Sequence, residues 1–224
     1  MTTQSREQQP RTESAQPEQS AQQRLDRINH IVDLEWGQFQ RTTNAGGRAA
    51  CQNDNDTFRI MRLSQFATWP DALLRSYEQD LEQADTQGRN LVTEKYARMM
   101  ASTVPDEYER AIAPYLPELS EERTELQERI IAIQVRWAQE FRKRYPKLGS
   151  AMRVLRTSED TPQATSFETY LRGELSTYSP RTLEEYAAFV ERLCDECHNL
   201  TQETVLNTVR MSGFSSLDEA ENCQ

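Results

Sequence analysis

Between residues 25 and 39, Leu25, Ile28, Ile31, Val32, Trp36 and Phe39 recur at the three- and four-residue intervals of one helix face. A single acid, Glu35, projects from the centre of that stripe. The next helical pattern repeats the anomaly, with Arg62 and Gln65 lying inside the stripe formed by Phe58, Met61, Phe66 and Trp69. An unpaired buried charge costs several kcal/mol. These groups are therefore expected to be paired, neutralised or turned toward a polar cavity.

From Leu25 onward the period is helical, and no segment sustains the two-residue alternation of a half-buried strand. The pattern predicts helices over about 23–42, 57–68, a continuation through Leu73, Leu74, Tyr77 and Leu81, then 89–103, 121–145, 165–178, 181–198 and 202–212. Pro70 removes a donor and crowds the preceding turn, so a kink or break is expected at Trp69-Pro70. Loops are expected at Asn44-Ala45-Gly46-Gly47 and at Gln52-Asn53-Asp54-Asn55-Asp56. The 121–145 helix, with Ser120 as its cap and Arg142-Lys143-Arg144 at its carboxyl end, is read as the longest and central one. Ser179 and Pro180 mark another start. Residues 1–22 are polar with almost nothing to bury, and are read as a disordered N-terminal tail preceding one all-helical domain over 23–222. The fold class is all-α, a compact multi-helix bundle of roughly seven or more helices.

Charge narrows the partners. With 26 Lys and Arg against 36 Asp and Glu, the net charge of −10 repels nucleic acid and acidic membranes. No apolar run approaches the ~18 residues that span a bilayer, and the amino end lacks a basic region followed by an apolar one. A cytoplasmic protein is expected. The four cysteines, Cys51, Cys194, Cys197 and Cys223, are read as reduced thiols.

Several constellations could carry chemistry. Glu174 lies between Phe167, Tyr170, Leu171 and Tyr178 on a helical wheel, so it joins Glu35, Arg62 and Gln65 as an inward polar group. Such a set could line a pocket in which Arg62 takes a carboxylate or phosphate and a glutamate of raised pKa moves protons; the competing reading is a buried ion pair that specifies helix packing. In Asn90–Met100 a soft apolar stripe and a small-residue face leave Glu94 and Lys95 as a second acid or base and an anion ligand, or as solvated charges beside a packing face. Cys194, Cys197 and His198 could chelate zinc, but no second Cys/His pair completes four ligands, and both cysteines fall in an apolar stripe as buried, inert thiols. A di-metal carboxylate site would want Glu-x-x-His spacing, which neither His30 nor His198 has. The basic run Arg142, Lys143, Arg144, Lys147, Arg153 and Arg156 is either an anion-collecting patch or the solvated end of a long helix.

The stretch Ile28 to Glu221 resembles the uncharacterised, mainly bacterial family catalogued as domain of unknown function 4125. The resemblance rests on Glu35-Trp36 with Phe39, Cys51-Gln52, Phe58 with Met61-Arg62 and Ser64-Gln65, Asn90-Leu91 with Glu94-Lys95-Tyr96 and Met99-Met100, and Ser166 with Tyr170, Gly173-Glu174-Leu175 and Thr177-Tyr178. It implies a single domain and carries no assigned activity.

The functional expectation is a small-molecule enzyme or accessory biosynthetic enzyme acting on an anionic or amino-acid-like metabolite in an interhelical pocket. Glu35, Glu94 and Glu174 would be catalytic, and Gln52, Arg62, Gln65, Lys95 and Tyr96 would bind substrate; no metal ligands are assigned and the cofactor is left open. The alternative is a non-catalytic binding or regulatory module for a metabolite or a protein partner.

Overall fold

The computed structural model describes residues 15–43 and 47–224. Residues 1–14 of the expected tail and Asn44, Ala45 and Gly46 of the expected loop lie outside the described residues. Among the described residues there are eleven α-helices and no strand: α1 (Ala15–Gln40), α2 (Asn55–Phe66), α3 (Asp71–Thr86), α4 (Leu91–Thr103), α5 (Pro105–Ala111), α6 (Glu121–Arg144), α7 (Pro146–Ser150), α8 (Phe167–Leu175), α9 (Pro180–Asp195), α10 (Leu200–Met211) and α11 (Leu217–Cys223). The chain is all-α, as its periodicity requires.

Helix α1 starts eight residues before the expected 23, because Ala, Gln and Glu in its first turns are good helix formers that extend a packed helix at little cost. At 26 residues it is longer than α6 at 24. The Trp69-Pro70 interruption is a full break: α2 ends at Phe66, Pro70 is extended at φ −70° and ψ 156°, and α3 begins at Asp71. Helices α1 and α2 are antiparallel, bringing Phe39 against Phe58 at one end and Arg24 against the Ala67 and Trp69 carbonyls at the other. The break returns α3 parallel to α1. A ladder of pairs rises along their seam, from Arg24 with Asp71 through Arg27 with Glu78 at 2.9 Å and His30 with Glu82 at 3.3 Å to Arg41 with Asp85 at 2.6 Å.

Helix α6 packs against α7, α8, α9 and α10, with Ile130, Ile131, Val135, Ala138 and Phe141 buried along one side. The main core runs from Ile28, Ile31 and Val32 of α1 through Leu73, Leu74 and Leu81 of α3 to Leu183 and Val190 of α9. A smaller cluster of Phe141, Tyr145, Leu148, Val209, Leu217 and Ala220 joins the end of α6 to α7, α10 and α11. Two expected core residues are outside. Leu25 is 54% exposed, lying on α1 before its first buried residue, Ile28, and Met61 is 53% exposed because α2 turns Arg62, Ser64 and Phe66 inward between α1 and α10.

Candidate functional site

Five helices meet at one group of ions. Arg62 of α2 donates Nε to Glu35 Oε2 and Nη2 to Glu35 Oε1, both at 2.5 Å, so α1 and α2 are joined by a two-pronged guanidinium–carboxylate pair. The remaining guanidinium nitrogen, Nη1, donates to Gln65 Oε1 at 2.7 Å and lies 3.4 Å from Glu174 of α8. Gln65 in turn donates to Glu174 Oε1 at 3.0 Å. Phenols close the periphery: Tyr77 of α3 donates to Glu35 at 2.6 Å and Tyr178 donates to Glu174 at 3.2 Å. Lys95 of α4 lies 3.5 Å from Glu174 and donates to the Tyr170 hydroxyl at 2.8 Å.

The group sits in a dry setting. Glu35, Arg62, Lys95 and Glu174 are each less than a tenth exposed. Phe66 lies beneath the guanidinium at 4.7 Å and itself packs edge-on to Trp69 at 4.9 Å, with Tyr77, Tyr178 and Tyr186 completing an aromatic wall. Burial alone would raise the Glu174 carboxyl, but Arg62 and Lys95 beside it, with hydrogen bonds from Gln65 and Tyr178, bring it down to about 2. Burial likewise opposes the charge of Lys95, yet the Tyr170 oxygen, Glu174 and the Tyr96 oxygen hold it above the ordinary lysine range. Burial opposes the charge of Arg62 too, and Glu174 and Glu35 override it. Two carboxylates, Glu35 and Glu174, thus face two cations, Arg62 and Lys95, within one buried group.

Four of the eight expected site residues, Glu35, Arg62, Gln65 and Glu174, are therefore brought together, and Lys95 borders them. Two fall elsewhere, and a third stands at the edge. Gln52 is 1% exposed and ties a short 3₁₀ turn to the end of α1, donating to the Phe39 and Thr42 carbonyls at 2.7 and 3.0 Å and accepting from the Ala49 amide at 2.9 Å. Glu94 is half-buried on α4 away from the ion group, gripped by Arg89 through bonds of 2.8 and 2.7 Å. Tyr96 stands at the edge of the group, 5.4 Å from the Lys95 ammonium.

Sequence reasoning missed Tyr77, which completes Glu35, and named Arg153 only within the basic run without joining it to this group. The Tyr170 ring faces both Lys95 Nζ at 4.3 Å and the Arg153 guanidinium at 4.8 Å. The Lys95 ammonium also lies 5.4 Å from the Tyr96 ring, so Lys95, Tyr96, Arg153 and Tyr170 share one rim; the Tyr96 phenol is raised there by burial. Arg153 is exposed and forms no ion pair among the described residues. A basic residue in a run free of acids between 141 and 158 was the available signal.

The thiol expectation is corrected in one respect. Helix α9 stops at Asp195, and Cys197 follows it exposed, at φ 57°, in the left-handed position that usually takes glycine. Cys194 is half-buried, and all four cysteines are free. Two open surface clefts lie among the described residues. One, of about 580 Å³, lies between Arg41, Asp85, Arg89 and Asn90; the other, of about 460 Å³, lies between Arg136, Trp137, Cys194, Cys197 and His198. Neither reaches a member of the buried ion group.

A helical domain built around a balanced, buried ion group is the class of protein that these features define. The chain belongs to the family described as protein of unknown function (DUF4125), whose profile matches residues 26–222. No curated protein and no solved structure matches it. No described helix is long and apolar enough to cross a membrane.

Proposed function

We propose that this chain is a non-catalytic binding module that takes an anionic group at the rim formed by Lys95, Tyr96, Arg153 and Tyr170. The observation that carries the reading is the position of two cations against one phenol ring, Lys95 at 4.3 Å and Arg153 at 4.8 Å, where the buried ion group reaches the surface. Counting Arg153, three cations face two carboxylates. One positive charge is left over at a partly desolvated edge, and a carboxylate or phosphate group suits it.

Catalysis is less well supported. A general acid or base works best with a pKa near the operating pH, and Glu174 at about 2 is far from it. Both oxygens of Glu35 are engaged by Arg62, and one also by Tyr77. An enzyme acting on an anionic or amino-acid-like metabolite would need one of these carboxylates released from its cation. The acidic composition and free thiols fit a cytoplasmic protein.

The test is a thermal-shift and calorimetric screen of the full chain against phosphate, sulfate, citrate and glutamate, repeated with Arg153→Ala and Lys95→Met. Arg153 is exposed, so its loss should leave the unliganded Tm within a degree or two while weakening anion binding at least tenfold. If no anion binds, or if Arg153→Ala binds as wild type does, the rim reading is wrong and a protein partner becomes the better proposal.

A further inference from the structure

Along the seam between α1 and α3, Arg24, Arg27 and Arg41 each pair with one acid of α3, and the rung at His30 differs. There His30 faces two carboxylates, Glu78 and Glu82, which stand one helical turn apart on α3. One ligand atom from each of the three lies within 4.8 Å of the others. Unlike its neighbours, this rung carries more negative charge than its basic partner balances: Arg27 engages Glu78, and Glu82 has only the imidazole.

We propose that His30, Glu78 and Glu82 form a surface site for a borderline divalent transition metal, of which Zn²⁺ is the representative. The separation of His30 Nε2 and Glu82 Oε1, 3.3 Å, is long for a strong hydrogen bond. It matches the ligand–ligand edge of about 3.3 Å that follows from tetrahedral zinc with bonds of roughly 2.0–2.1 Å. One Glu78 oxygen lies within 4.8 Å of the other two ligand atoms, within reach of completing three protein ligands by side-chain rotation. Arg27 donates Nε to Glu78 Oε2 at 2.9 Å, leaving Oε1 for the ion and orienting the carboxylate, as outer partners of metal ligands commonly do. One imidazole nitrogen and two carboxylate oxygens favour a Zn²⁺-like ion over softer ones, which prefer thiolates. Water fills the fourth position. Because the ligands come from two helices, the ion would clamp α1 to α3.

The experiment uses the full chain with Cys51→Ser, Cys194→Ser, Cys197→Ser and Cys223→Ser, so that no thiol competes for the metal. ZnCl₂ is titrated calorimetrically, and the ring signals of the only two histidines, His30 and His198, are followed by NMR. One ion per chain should bind and shift the His30 signals, and Tm should rise by about 5–10 °C at a hundred times Kd. His30→Ala and Glu82→Gln should each weaken binding at least tenfold, and Arg27→Met about tenfold. The exposed His30→Ala change should leave the metal-free Tm unaltered. Absence of binding overturns the proposal, and so does binding that persists in both His30→Ala and Glu82→Gln or that shifts His198 instead of His30.

Discussion

Gly173 of α8 lies directly against the backbone of Lys95 on α4. A Cβ at Gly173 would stand 2.9 Å from the Lys95 carbonyl oxygen and 2.9 Å from Met99 Cγ. That closeness sets the spacing of the α4–α8 pair, and with it the 3.5 Å approach of Lys95 to Glu174, the residue after the glycine. Gly173→Ala should cost about 1–3 kcal/mol through forced separation of the helices, measured by urea unfolding. Trimming Met99 to alanine in the same chain should restore only part of the loss, because the backbone carbonyl cannot rotate away.

Arg62→Met strands two buried carboxylates at once. Breaking a buried pair in this way is expected to cost about 3–5 kcal/mol. Tyr77→Phe removes one hydrogen bond to Glu35 and should cost about 1–2 kcal/mol. Equilibrium denaturation of both variants checks the ranking, and equal losses would show that Arg62 is not the centre of the group.

Acid should dissect the same group. The folded Glu174 carboxyl lies at about 2 against an ordinary 4.5. A depressed carboxyl contributes stability that is fully present above its unfolded value and is lost as pH falls through the folded one. About 3 kcal/mol should therefore disappear between pH 4.5 and 2. Glu174→Gln should be less stable at neutral pH and should show a flatter dependence in that window, read from urea midpoints at half-unit intervals of pH.

Gln38 predicts a local effect away from the ions. It is fully buried, and its Oε1 accepts from the Leu91 amide at 2.8 Å and the Val92 amide at 3.4 Å, serving the first turn of α4 from within α1. Gln38→Leu leaves those donors dry and should cost about 1–3 kcal/mol. Amide exchange at Leu91 and Val92 should accelerate more than at the middle of α6.

The inward placement of Glu35, Arg62, Gln65 and Glu174 was legible because each interrupts an apolar stripe, and helical period alone fixes which way it points. Their mutual contact was not, since Arg62 and Glu174 are 112 residues apart and pairing over that span depends on how helices stack. Gln52 and Glu94 were misplaced because composition does not distinguish a buried amide serving backbone carbonyls from one serving a ligand, and because Arg89, five residues before Glu94, captures it locally. Short helices escaped for another reason. Pro105 and Pro146 stand just past the expected 89–103 and 121–145 helices, and each begins a further short helix, α5 and α7, at the position where a missing N–H costs nothing. Cys197 looked buried only while α9 was extended past Asp195.

The sequence separations within the ion group have a consequence during synthesis. Glu35 and Arg62 are only 27 residues apart, so their pair can close as soon as α1 and α2 leave the ribosome. Lys95 must wait for Tyr170 and Glu174, 75 and 79 residues downstream. At roughly 5–20 residues per second that interval is about 4–16 s. Throughout it, α4 carries an ammonium whose buried partners have not yet been translated. The nascent chain must therefore keep α4 hydrated, and the dry interior of this domain is sealed only once α8 arrives.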